Sequence, residues 1–269
     1  MGAEGPGAGA PHGPPHGPPD GPPDGAAPNA APDGVPLAVD RFPTTVEAAA
    51  DEQRRLRPLV RLEPPPGFAP RLVAGLDVSM DRDSDVGFAG VVVLALPGLE
   101  TVAEAAAVAR VPMPYVPGYL SFRELPVLDA AMRALGARHP GVRPDVLVFD
   151  GQGYAHPRRF GIACHGGLIF GVPSVGCAKS ILVGTHGPLG TERGARADLV
   201  HRREAVGYAV RLRANVQPVY VSPGHLMDRD TALAVVEAVS AGFREPETTR
   251  RAHRLVNAVR RGERAPDAG

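Results

Sequence analysis

Between Arg71 and Lys179 the apolar residues come in short β-branched runs, and the spacing between the runs changes halfway. Arg71–Met80 (RLVAGLDVSM), Gly87–Leu96 (GFAGVVVLAL) and, more weakly, the Ala- and Val-rich Thr101–Val111 follow one another across short links, with Pro97-Gly98 as a turn. Parallel neighbours need a long crossover between them, so these three runs predict an antiparallel meander. Beyond them the runs are separated by helix-length segments. A helix is expected from Ser121 to Arg138, broken or started late by Pro126. Then come a strand over Val146–Phe149, a buried helix over 161–171 and a short strand, Ser174–Ala178, that ends at Lys179. The order predicts an α/β protein: a mixed sheet of three antiparallel strands, then alternating helices and strands, flanked by helices.

The remaining elements are read more coarsely. Thr44 and Glu47 have capping-box spacing and predict a surface helix, stopped by Pro64, Pro65 and Pro66. Further strands are expected at 207–213 and 218–222, and closing helices at 230–241 and 248–260. Of the 269 residues 43% are hydrophobic, but aromatics are only 5% and Trp is absent, so the core must be built from Val, Leu, Ile and Ala. Residues 1–38 hold 20 Pro or Gly and cannot bury enough apolar surface to fold. The expected organisation is a disordered tail at 1–40, one catalytic domain at 41–262 and a flexible C-terminus at 263–269.

Net charge is zero, yet the first 38 residues carry four acids and no Lys or Arg, which leaves 29 basic against 25 acidic residues in the rest. That excess permits phosphate binding without demanding it. Cys164 and Cys177 read as reduced, intracellular packing residues. No signal peptide and no run of about 18 apolar residues is found, so a cytoplasmic protein with no membrane partner is expected, as a monomer.

Chemistry is suggested where apolar runs end in acids. Asp77 follows LVAGL and Asp150 follows VLVF. If their strands are parallel neighbours, the two carboxylates meet at one sheet edge, repel, and suit a Mg²⁺ ion, which prefers oxygen ligands. Each Asp could instead simply cap a turn. Glu124 has a competing structural explanation, since Ser121 and Glu124 also have capping-box spacing. Lys179 is the one Lys beside 28 Arg, and it falls at the same edge if its strand runs parallel to that of Asp150. His156, with Arg158 and Arg159, would make a phosphate cradle in the loop after Asp150. His225, after the last strand, could reach the same edge as a ligand or proton donor. Tyr115 sits between Pro114 and Pro117 in a loop stiff enough to hold its ring out toward bases.

Taken together, GLDVS, PYVPGYLSFRELP, DVLVFDGQGYAHPRRFGIACHGG, VPSVGCAKS and SPGHLMDRDTAL resemble the endonuclease V family, in order and spacing, from about Thr44 to Arg260. The resemblance implies an RNase H-like fold and hydrolysis of the second phosphodiester bond 3′ to deoxyinosine, leaving 3′-hydroxyl and 5′-phosphate ends. It implies Mg²⁺ as cofactor, with Mn²⁺ able to substitute, and DNA containing deoxyinosine, or inosine RNA, as partner. By position Asp77 and Asp150 match the metal-binding acids, Glu124 the third acid, Lys179 the active-site Lys and His225 a nearby active-site His. His156 matches the His of the post-strand loop. Pro114, Tyr115, Val116 and Pro117 match the strand-separating wedge, and Gly118, Leu120, Gly151 and Ile162 the surroundings of a flipped hypoxanthine. The Pro/Gly tail, Gly166-Gly167 and His253 depart from the pattern, and none of them is expected to touch the site. Three other readings stay open: a ribonuclease for inosine-containing RNA, a lesion-binding module without catalysis, and a resolvase-like nuclease on the same fold, against which the wedge loop argues.

Overall fold

The computed structural model describes residues 42–81, 85–111 and 113–267. The expected tail at 1–40 lies outside them. The meander forms as β1 (Leu72–Met80), β2 (Val86–Ala95) and β3 (Glu100–Arg110), paired antiparallel. β4 (Val146–Phe149) joins β1 in parallel and β5 (Ser174–Ala178) joins β4 in parallel. β6 (Arg196–His201), β7 (Glu204–Val210) and β8 (Val219–Pro223) complete an eight-stranded sheet of order β3-β2-β1-β4-β5-β8-β7-β6. This is the mixed α/β sheet expected, in the RNase H-like arrangement.

Period-two alternation divides the core into two layers. Ala74, Leu76, Leu147 and Phe149 face one side, under α2 (Leu120–Arg138) and α3 (Ile162–Phe170). Val73, Val146, Val148 and Val175 face the other, under α4 (Arg229–Ala238). There α5 (Glu247–Arg260) covers Val92 and Leu94 of β2 with Ala252, Leu255 and Val259. Each fully buried side chain of this kind contributes about 1.5–3 kcal/mol.

Local signals were displaced in several places. The first helix, α1 (Val46–Leu56), is capped by Thr45, whose hydroxyl accepts from the Ala48 N–H, and not by Thr44. It gives way at Pro58, which has no N–H to continue the ladder, well before Pro64. α2 starts at Leu120 after Tyr119, so Ser121 is inside the helix and caps nothing. Its hydroxyl bonds instead to Nδ1 of His165 at 3.0 Å. Pro126 is absorbed within α2 and neither breaks nor delays it. β6 was not expected: Leu199 is its one buried residue, too little to leave a pattern. β7 begins at Glu204, three residues before the expected 207.

The described part of the expected flexible end, 263–267, lies along β3. Asp267 donates its N–H to the Ala106 carbonyl (2.7 Å) and its carboxylate accepts the Ala106 N–H (2.9 Å), while Arg264 pairs with Glu104. This satisfies part of an otherwise open sheet edge. Among the described residues no helix is long and apolar enough to cross a membrane.

Candidate active site

Three acids meet just past the end of β4, where Asp77 stands within β1, three residues before that strand ends at Met80. The parallel register pairs Leu76 with Phe149, so Asp77 and Asp150 stand next to each other just beyond. Glu124 reaches them from the first turns of α2. All three line one cavity of about 60 Å³, with Leu76, Phe149 and Ile162 as its apolar wall. The capping explanation of Glu124 therefore fails. Burial raises the Glu124 pKa well above the usual carboxylate range, and the charges of Asp77 and Asp150 raise it further. Burial also raises Asp150, against the pull of Lys179.

Because β5 is parallel to β4, Lys179 emerges at this same edge, as expected. Its ammonium donates to Asp150 at 2.6 Å and pairs with Glu245 at 3.2 Å. Burial alone would lower its pKa; the two carboxylates outweigh that and raise it. Lys179 is thus a fixed cation. Glu245 carried no recognisable signal in the sequence.

A histidine does touch the acids, but it is His253 and not His225. Asp77 continues the row of Val73 and Gly75 toward α5, where His253 Nδ1 stands 2.9 Å from its Oδ2. The amide nitrogen of Asn257 donates to His253 Nε2 (2.9 Å), leaving Nδ1 to carry the proton given to Asp77. That hydrogen bond to Asp77 raises the imidazole pKa. The expectation that the departure at His253 stays clear of the site is overturned. The close packing of α5 makes the contact possible: a Cβ on Gly75 would come within 2.3 Å of the Thr248 carbonyl carbon, and one on Gly90 within 2.8 Å of Val256.

His225 is at the opposite edge. β8 runs antiparallel to β5, with Pro223 opposite Val175 and Tyr220 opposite Ala178, so the end of β8 meets the start of β5. The imidazole is buried there; Nδ1 accepts the Arg61 N–H (3.3 Å) and the backbone N–H donates to Ser174 Oγ (2.9 Å). Burial and the Arg61 charge lower its pKa to about 4. It is a packing residue.

A second cavity, of about 250 Å³, shares Asp150 and Ile162 with the first. Gly118, Leu120, Gly151 and Ile162 all line it, and Tyr115 stands at its mouth, 64% exposed. Pro114 and Pro117 are exposed beside Tyr115, and Val116 is half-buried. The wedge loop is pinned through one atom. The Gly118 carbonyl accepts from His156 Nε2 (3.0 Å), Arg158 Nη2 (2.7 Å) and Gln53 Nε2 (3.0 Å). Gly118 itself is at φ +85°, where a side chain would be strained and its Cβ would press on Arg158. His156 is buried, and burial with the Arg158 charge lowers its pKa to about 4, so it is a neutral donor. Arg159 is spent on Glu204 (2.8 Å) and His201. Of the residues expected to form a phosphate cradle, His156 and Arg158 clamp the wedge loop, while Arg159 ties its own loop to Glu204 and His201. Gln152, unforeseen, also lines this cavity; its Nε2 donates to the Ser180 carbonyl (2.8 Å), and its buried Oε1 has no partner.

The acid cluster fits a divalent cation. It offers only hard oxygen donors, and the mutual repulsion that raises Glu124 is what a cation would relieve. Among the described residues no three His, Cys, Asp or Glu side chains form a finished ligand set. The reason is visible: Asp150 is turned to the Lys179 ammonium and Asp77 to the Nδ1 of His253.

An RNase H-like sheet whose adjacent parallel strands bring two acids side by side, with a third acid from a neighbouring helix, defines a divalent-metal nuclease. The comparisons narrow this. The Endonuclease V family model matches residues 54–254. Endonuclease V of Myxococcus xanthus is 60% identical over 225 residues, 84% of this chain and 94% of that one. The crystal structure of Endonuclease V from Streptomyces avermitilis superposes with a TM-score of 0.76 at 43% identity, covering 82% of this chain and 96% of that one. The fold is also that of Ciona intestinalis Endonuclease V, solved with a DNA containing an inosine followed by a ribo-adenosine (TM-score 0.72, 24% identity, 81% and 98% covered). The chain belongs to the Endonuclease V family and is an endonuclease.

Proposed function

We propose that this enzyme is a DNA-repair endonuclease that hydrolyses the second phosphodiester bond 3′ to deoxyinosine, leaving 3′-hydroxyl and 5′-phosphate ends, with Mg²⁺ as its metal and Mn²⁺ able to substitute. The observation that carries the reading is the adjacency of two cavities. One is lined by Asp77, Glu124 and Asp150; the other is roofed by an exposed Tyr115; and they share Asp150 and Ile162. A volume of about 250 Å³ is below the roughly 300–1,000 Å³ of drug-sized sites and suits one base. Two cavities that adjoin without coinciding support a cut displaced from the nucleotide that is held.

Tyr115 stacks on the bases left behind when the lesion flips out. An inosine pair is weak, so its extrusion costs less than that of a sound pair. Gly118, Leu120, Gly151 and Ile162 wall the extruded hypoxanthine, and His156 keeps the wedge loop in place. Asp77 and Asp150 would hold the cation, with Glu124 beside them; when bound it polarises the phosphate and lowers the pKa of water. Lys179 offsets charge developing on the phosphate. His253 orients Asp77. In this reading the protein works as a cytoplasmic monomer.

The test is cleavage of a labelled duplex with one deoxyinosine, and of its single-stranded inosine RNA counterpart, with Mg²⁺ and with EDTA. A Mg²⁺-dependent nick one nucleotide beyond the lesion in DNA is expected. Cleavage of RNA alone would move the function to inosine-containing RNA. Cleavage of neither would overturn the reading.

A further inference from the structure

The turn between β6 and β7 carries a local conflict. His201 pairs with Glu204, which leaves Arg202 and Arg203 as a two-residue hairpin loop. Both have positive φ, +56° and +65°, the combination that a type I′ turn requires and that Asn-Gly satisfies best. Arginine gains the turn nothing, and both side chains are exposed. A tip built from residues the backbone disfavours points to what those side chains touch.

Behind the tip is a cleft of about 410 Å³ lined by Arg54, Arg57, Arg158, Arg159 and Arg202, with Glu204. That carboxylate is already taken by Arg159 (2.8 Å) and the Tyr154 hydroxyl (2.9 Å). Arg159 also donates to the His201 carbonyl (3.1 Å), tying the hairpin to the 156–159 loop. That loop has two sides. His156 walls the base cavity, while Pro157, Arg158 and Arg159 wall the basic cleft. A strand with one base in the cavity therefore has the arginine surface on the other side of a single loop.

We propose that the Arg202-Arg203 tip and the adjoining arginine cleft bind backbone phosphates of the nucleic acid, outside the cutting site. The ligand is a polyanion with regularly spaced phosphates, which guanidinium forks recognise, and the contact carries no base information. This rests on the proposed function for its substrate, and it adds a surface that sets affinity and register.

The test replaces Arg202→Asn together with Arg203→Gly. Asn-Gly is the loop this turn prefers, so the hairpin keeps its shape while two charges are lost. Binding of an inosine duplex and of an undamaged duplex is measured in EDTA across a salt series. The slope of log K against log salt should shrink by about 1–2, since each phosphate contact accounts for about 0.7–0.9. Affinity for both duplexes should fall about tenfold at low salt, with an equal or higher melting temperature and an unchanged cleavage rate at saturating enzyme. Arg202→Lys with Arg203→Lys, which keeps the charge, should retain most of the slope. An unchanged slope and affinity in the Asn-Gly variant overturns the proposal. A wild-type enzyme that ignores inosine overturns the proposed function instead, and the undamaged duplex still reports on the hairpin.

Discussion

Acid should unfold this protein through three buried histidines, and His165 isolates the effect. His156, His165 and His225 are 3%, 1% and 7% exposed, and burial holds their pKa values down to about 4, about 3 and about 4. In the unfolded chain each returns to about 6.5. The unfolded state therefore binds more protons between about pH 6.5 and pH 4, so this stabilisation is present above that window and is lost as pH falls through it. For His165, lowering the pH from 7 to 5 removes about 2 kcal/mol. Three such groups would remove about 6 kcal/mol, comparable to the whole stability of about 5–15 kcal/mol of an ordinary domain. Glu124 and Asp150 oppose this, because their raised pKa values mean that acid relieves them, so the total slope alone is ambiguous. His165→Met separates the terms. The ring lies between Phe122 and Phe160, with centroids at 4.9 and 5.2 Å, its Nε2 has no partner, and its one hydrogen bond is to Ser121. Methionine fills such a space and packs well against aromatic rings, at a loss of about 1 kcal/mol for the hydrogen bond. Urea denaturation at pH 7 and at pH 5 gives four stabilities. The difference between variant and wild type should move by about 2 kcal/mol in favour of the variant on acidification. A difference independent of pH would refute the account of His165 as an imidazole held neutral by burial.

Other perturbations separate site from scaffold. Asp150→Ala should lower nicking of the inosine duplex at least about a hundredfold while leaving its binding, by gel shift, within a few-fold, because a metal ligand supplies several kcal/mol to the transition state. His253→Gln should lower kcat about 10–100-fold by freeing Asp77, whereas His225→Asn should lose about 1–3 kcal/mol of stability with kcat within about twofold; the reverse result would restore His225 to the site. Gly75→Ala should cost at least about 1–3 kcal/mol and reduce activity as well, since its Cβ would displace the backbone of α5 that carries His253.

What could be read from the chain depended on whether the determining contact was local. VLVF running into Asp150 is a buried strand ending in an acid, and a parallel partner for it follows from the helix-length spacing of the runs. Two acids at one edge were therefore accessible to reasoning. Glu124 was harder, because Ser121 three residues earlier offers an equally good local explanation. It is removed by where α2 starts, which leaves Ser121 inside the helix with its hydroxyl on Nδ1 of His165 across the core. β6 was unreadable for the opposite reason, having one buried residue and no alternation to detect.

The two histidines show where such reasoning stops. His225 follows a strand just as Asp150 does, and a residue just past a strand sits at an edge of the sheet. Which edge depends on the strand's direction, and nothing local distinguishes β8, antiparallel to β5, from a parallel neighbour. His253 lies in the middle of a strongly basic helix, where a solvated face is the simplest explanation. Its contact with Asp77, 176 residues away in the chain, depends on how closely α5 approaches β1, and that distance is set by the missing Cβ of Gly75. A glycine in the interior of a strand is a weakness unless another backbone must come close. Gly75, two residues before a candidate metal-binding acid, was thus a local sign that something packs closely beside that acid, though not of what.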